Sequence, residues 1–268
     1  MPLPRTDRSA PRELASTAWP DISPDAWVLV PVGSTEQHGP HLPLDTDSVI
    51  ARAVALRAAR ALASGPAGPP LVAPTLAYGS SGEHAGFPGT VSIGHDALAV
   101  VLVEMVRSLS LWARRIVFVN GHGGNTRTFD DAVGRMRTEG HDVAWTCCEA
   151  PGGDAHAGRT ETSVMLHLAP ADVRTQRAAP GDTRPLAAVL PDLVARGVRA
   201  VSPSGVLGDP TGACAEEGRG LLEEMVRATV RRIEAGTADQ RGRLVVPARP
   251  APRPPRATTG PDGMKTEH

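Results

Sequence analysis

The chain has 268 residues, 41% of them hydrophobic and 21% charged, with a formal net charge of -1. That is enough apolar material for one full α/β core, and so even a charge balance gives no electrostatic reason to expect nucleic acid or an anionic membrane as partner. No run approaches the ~18 apolar residues of a membrane span, the N-terminal sequence lacks the apolar core of a signal peptide, and the cysteines, Cys147, Cys148 and Cys214, offer no disulfide framework, so a cytoplasmic protein is expected.

Residues 1–23 are rich in Pro, Arg and Ser, and residues 247–268 are richer still in Pro. Both are expected to be disordered or loosely attached, leaving one domain over 24–246. Within it, 27–32 (WVLVPV) reads as a buried strand, 48–62 as a helix with Ala, Val and Leu on one face, and 70–75 as a short strand after the GPAGPP break. A long apolar helix is expected at 96–112, a strand at 116–119, a helix at 126–138 and a buried strand at 143–148. Helices at 160–168 and 185–195 follow, then an amphipathic closing helix at 215–235. Strands alternating with helices pair in parallel, which makes the fold a three-layer α/β/α sandwich with a mainly parallel sheet and its loops gathered at the carboxyl edge.

Four stretches fall at that edge. GSTEQHGPHLPLDTD (33–47) leaves the first strand carrying Glu36, His38, His41, Asp45 and Asp47, with Pro40 and Pro43 holding an irregular backbone. Imidazoles and carboxylates on a stiff loop suit a divalent metal. YGSSGEHAGFPGTVS (78–92) is either a loop whose glycines only let it turn or a pocket wall made by Ser80, Ser81 or the Glu83-His84 pair. NGHGGN (120–125) sits where a phosphate loop would, but it lacks the Lys-Ser/Thr pair and the G-x-G-x-x-G spacing, so His122 is its candidate ligand. In DAHAGRTETS (154–163), His156 and Glu161 flank Thr160. Glu161 there reads either as a first-turn carboxylate favoured by the helix dipole or as a group facing the crevice beside His122.

Together these four blocks resemble the creatininase family of metal-dependent amidohydrolases over roughly residues 28–168. The segment VRAVSPSGVLGDPTGACAEEG (198–218) resembles the branch of that family found in mycofactocin biosynthesis, which trims a modified precursor peptide. The resemblance implies two divalent ions per subunit, zinc and/or iron with manganese also suitable, held by Glu36, His38, a bridging Asp47, His122 and one further carboxylate. Creatininases carry a Glu two residues beyond the histidine of the NGH motif, where this chain has Gly124; that argues against creatinine as substrate and makes Glu161 the replacement, with Glu83 or Asp154 next in line. It further implies His156 as the group that moves a proton to the leaving amine, Ser80 as a substrate contact, and a homo-oligomer. The implied reaction is attack of metal-bound hydroxide on an amide carbonyl, releasing the C-terminal Val-Tyr-derived dipeptide of a modified ribosomal peptide. Two alternatives stand beside it: a family amidohydrolase acting on a cyclic amide or formamide, and a non-catalytic metal- or nucleotide-binding protein.

Overall fold

The computed structural model describes residues 12–65, 67–150 and 152–247. Its main sheet has five strands, β1 (Arg12–Glu13), β2 (Trp27–Val32), β3 (Leu71–Val72), β4 (Arg115–Asn120) and β5 (Val143–Cys147), in the order β1-β3-β2-β4-β5. Every pairing in it is parallel. Among the described residues, seven α-helices accompany them: α1 (Thr46–Leu62), α2 (Gly94–Leu109), α3 (Thr126–Thr138), α4 (Arg159–Leu168), α5 (Leu186–Arg196), α6 (Val198–Val201) and α7 (Ala215–Ala235).

The two-residue period of the strands divides the core into two layers. Trp27, Leu29, Val117, Val119 and Ala144 face one side, where Val54 of α1, Met165 of α4 and Leu222 of α7 cover them. Val28, Val30, Phe118, Val143 and Trp145 face the other, against Leu102 of α2 and Phe129 and Met136 of α3. Strands buried on both faces need apolar residues at every position, which is why WVLVPV and RIVFVN show no alternation. The result is an α/β/α sandwich, and among the described residues no helix is long and apolar enough to cross a membrane.

Strand order reverses at β2. From β2 the chain runs through α1 to β3 on one side, then through α2 to β4 on the other, so the loops after β2 and β4 diverge and leave a crevice at the carboxyl edge.

Three features differ from the sequence expectation. Residues 12–23 are docked: β1 pairs with β3, and Leu14 and Ile22 pack on the core. Two apolar anchors and two strand residues suffice to hold a stretch whose composition otherwise reads as loose; residues 1–11 and 248–268 lie outside the described residues. Helix α1 begins at Thr46, so Asp47 belongs to its first turn and not to the preceding loop. Finally, a two-stranded antiparallel hairpin, β6 (Thr237–Ala238) with β7 (Leu244–Val245), follows α7; strands of two residues carry no periodic signal.

Candidate metal centre

Three parallel strands ending at one edge bring residues far apart in sequence together. Glu36 and His38 come from the loop after β2, Asp47 from the first turn of α1, His122 from the turn after β4, and His156 and Glu161 from the β5–α4 connection. Glu36 and His38 are 0% exposed, Asp47 2%, His122 5% and His156 8%, far too buried for an ordinary surface loop.

Within this cluster, Glu36 Oε1 lies 3.2 Å from His122 Nδ1, and Asp47 Oδ2 lies 3.4 Å from the same nitrogen. The other Asp47 oxygen stands 3.0 Å from His38 Nε2, which is 3.9 Å from Glu161 Oε2. Asp47 therefore joins one group, Glu36–Asp47–His122, to a second, His38–His156–Glu161. Ser34 Oγ donates to Asp47 Oδ2 at 2.5 Å and holds the carboxylate from behind.

The charges of the cleft follow from this packing. Burial pushes the Glu36 carboxyl up, but His122 outweighs it and holds the group at about 2. Burial likewise raises Asp47, yet His38 and His122 keep it well below the carboxylate range. Burial lowers His38, but Asp47 and Glu161 outweigh it and raise the imidazole to about 10; His122 is raised well above its usual value by Glu36 and Asp47 against the same burial penalty. Burial lifts Glu161 to about 7, with His38 opposing. His156 is pushed well below its usual value by burial, then by His38 and His84, and stays neutral.

Both Glu36 oxygens are buried without a hydrogen-bond partner among the described residues. An ionised carboxylate in that state is costly unless positive charge meets it, and a mixed set of imidazole and carboxylate donors suits a divalent cation. The residues present therefore fit a metal centre.

All six residues singled out from sequence as ligands or proton carrier converge here, and the structure sorts their neighbours. His41 is buried but turns away, with Nε2 2.9 Å from Thr162 Oγ1. Asp45 is exposed at the start of α1. Asp154 accepts the N–H groups of Arg159 and Thr160 and so caps α4, which removes it as an alternative ligand. Ser80 is 3% exposed, and its main chain does the visible work: its N–H donates to Asn125 Oδ1 at 2.9 Å and its carbonyl accepts from His122 Nε2 at 3.0 Å. That last bond keeps a proton on Nε2, so Nδ1, which faces Glu36 and Asp47, is the nitrogen that must give up its proton to ligate.

Gly124 proves to be a closed position. A Cβ there would stand 2.5 Å from both Glu83 Oε1 and the Ser80 carbonyl and would also strike His122 Nε2. Glu83 Oε1 sits 3.6 Å from His122 Nε2, on the ring edge away from Glu36.

Sequence reasoning missed Gln37 and Asn125, and took His84 only as a candidate pocket wall. His84, 4% exposed, places Nε2 3.4 Å from Glu36 Oε1 and forms a further group with Glu36 and His156. Gln37 lies among the same imidazoles. Asn125, fully buried, ties three loops together by accepting from Ser80 N–H and donating to Gly33 O at 3.1 Å and Asn120 Oδ1 at 3.2 Å. Their only sequence signal is their place inside the loop blocks. A cavity of about 460 Å³ opens onto His122 and Glu161, walled by Glu149, Asp154, Asp182 and Arg184 among others.

An α/β/α sandwich with buried carboxylates and imidazoles at the switch point of its sheet has the build of a metal-dependent hydrolase. Comparison with known proteins specifies which. The family model described as creatininase, creatinine amidohydrolase, matches residues 14–233. The mycofactocin precursor peptide peptidase of Mycobacterium tuberculosis (strain CDC 1551 / Oshkosh) is 54% identical over 222 residues, covering 81% of this chain and 88% of that protein. Among solved structures, one described as creatininase Mn superimposes with a TM-score of 0.69 at 28% identity, covering 84% of this chain and 98% of the other. A mutant creatininase of Zn-Zn type gives 0.64 at 30% identity, covering 78% and 90%. The chain belongs to the creatininase family of amidohydrolases.

Proposed function

We propose that this chain is a metal-dependent peptidase that releases the C-terminal Val-Tyr-derived dipeptide from a modified mycofactocin precursor peptide. The observation that carries this reading is the 54% identity, over 81% of the chain, to a relative named for that activity. Gly124 supports the departure from creatinine: the position of the creatininase Glu is sterically filled by Glu83, His122 and the Ser80 carbonyl.

Two divalent ions are proposed, one held by Glu36, Asp47 and His122 and one by His38, Asp47 and Glu161, with zinc, iron or manganese compatible with the donor set. When bound, they supply an acidified water near neutral pH and polarise the amide carbonyl. His156 handles the proton. Its Nε2 lies 2.9 Å from the Gln37 main-chain carbonyl, so Nε2–H donates there and Nδ1 is left as a neutral acceptor inside the cleft. Nδ1 can take the proton that the attacking water gives up and pass it to the departing amine. Ser80 is proposed as a substrate contact, and the reading extends to a cytoplasmic homo-oligomer, as the family resemblance implies.

The test is direct. Purified, metal-loaded protein is incubated with modified and unmodified precursor peptide and with creatinine, and products are read by mass spectrometry. Shortening of the modified peptide by its C-terminal fragment is expected. Ring opening of creatinine at a comparable rate, with no peptide product, overturns the assignment.

A further inference from the structure

We propose that Gln37 and His84 form a positioning pair for Glu36, a role that rests on the metal-dependent reading above. The Gln37 carboxamide has a fixed orientation. Gly39 N–H donates to its Oε1 at 2.9 Å, so the amide nitrogen faces the opposite way. Its two hydrogens meet two acceptors, Gly205 O at 3.1 Å and His84 Nδ1 at 2.8 Å. Gln37 is 5% exposed, and Gly205, at φ +84, lies so close that any Cβ there would strike the carboxamide.

An imidazole whose Nδ1 accepts a hydrogen bond carries its proton on Nε2. In His84 that N–H faces Glu36 Oε1, 3.4 Å away, the carboxylate whose two oxygens have no hydrogen-bond partner among the described residues. Hydrogen bonds at working sites are often long in the empty protein and tighten on loading. A neutral N–H can orient Glu36 without cancelling its charge, whereas a cationic partner would compete with the metal. Residue 37 also pins the second imidazole, because its main-chain carbonyl takes His156 Nε2–H. The 3.0 Å approach of His156 Nε2 to Gln37 Nε2 is packing, since both amide hydrogens are already committed.

Gln37 thus sets the tautomer of His84, and His84 sets the direction of Glu36. Partners that orient ligands in this way typically contribute about 10–100-fold to metal affinity.

Zinc-loaded protein labelled with ¹⁵N-histidine tests this by long-range ¹H–¹⁵N spectroscopy. His84 should show the Nε2–H tautomer in the wild-type protein and the Nδ1–H tautomer in Gln37→Glu, whose carboxylate can only accept. Zinc affinity, from competition with a chelating dye, should fall about 10–100-fold in Gln37→Glu and His84→Ala. His84→Gln, which keeps an N–H, should recover part of it. An Nδ1–H tautomer in the wild type, an Nε2 that loses its proton on zinc binding, or unchanged affinity in His84→Ala overturns the proposal. The wild-type spectrum decides even if Gln37→Glu does not fold. Neither readout uses a substrate, so absence of peptide cleavage would defeat the peptidase reading and leave this one standing.

Discussion

Asp47 and His38 are nine residues apart in the chain and 3.0 Å apart across the cleft, and that contact joins the two halves of the candidate centre. The second Asp47 oxygen faces His122 Nδ1 at 3.4 Å, so one carboxylate serves both groups. Asp47→Ala should therefore lose both of the proposed ions, whereas Glu36→Ala should lose one. Metal analysis of the two purified variants checks the difference. Retention of a tightly held ion in Asp47→Ala would show that Asp47 does not bridge.

The charges of the side chains in the cleft predict a pH dependence. His38, raised to about 10, is protonated at pH 7 and must release its proton to ligate; His122 is raised as well, and Glu161 sits at about 7. Metal binding should release protons, and affinity should rise about ten-fold per pH unit for each proton released. Calorimetry in buffers of different ionisation enthalpy counts those protons, and a pH-independent affinity would refute the assignment. Stability of the metal-free protein should run the other way. His38 has a folded value above its usual 6.5, so its contribution is complete below 6.5 and disappears as pH rises through about 10. Glu161, also raised, acts in the same direction between 4.5 and about 7. Melting temperature of the metal-free protein should fall from pH 6.5 to 10, while the depressed Glu36 and Asp47 matter only in acid.

Most of the fold was legible because apolar strands and amphipathic helices leave a period in the sequence: α3 and α7 begin and end where the pattern of 126–138 and 215–235 puts them. The site was legible because parallel strands all deliver their following loops to one edge, so His122 and Glu161 could be assigned to one crevice without coordinates. What escaped depends on contacts with no sequence period. Asn125 braces three loops through single hydrogen bonds, and His84 meets Glu36 from the separate loop that follows β3. Gly124 read as a loss, yet its lack of a side chain is what lets Ser80, Glu83 and His122 approach one another.

That packing makes Gly124→Ala a sharp test. The new Cβ would meet the Ser80 carbonyl at 2.5 Å, and a main-chain oxygen cannot swing aside as a side-chain tip can. His122 should be displaced, lowering metal content at the Glu36–Asp47–His122 group and costing about 1–3 kcal/mol of stability, as overpacking usually does. Thermal melting with metal analysis provides the check, and wild-type values in both would mean the loop yields at no cost.

The last prediction separates ligand from proton carrier within DAHAGRTETS. Glu161 Oε2 accepts from Ala157 N–H at 2.6 Å and lies 3.9 Å from His38 Nε2, so it can act as a helix-start carboxylate, as a ligand, or as both. Ala157 holds φ at +51, a conformation a non-glycine residue adopts only under constraint, and it sits between His156 and α4. If Glu161 binds the second ion, Glu161→Ala should fold and carry clearly less metal. Loss of a helix-start carboxylate alone would cost only about 0.3–1 kcal/mol and leave metal content untouched. His156→Ala should keep its metals and slow turnover by roughly 10²–10⁴-fold, the usual effect of removing a positioned acid or base. Measuring stoichiometry in both variants, and activity at saturating metal, assigns the roles independently. Full stoichiometry in Glu161→Ala would return that residue to its capping role, and Glu83, on the far ring edge of His122, would become the next carboxylate to substitute.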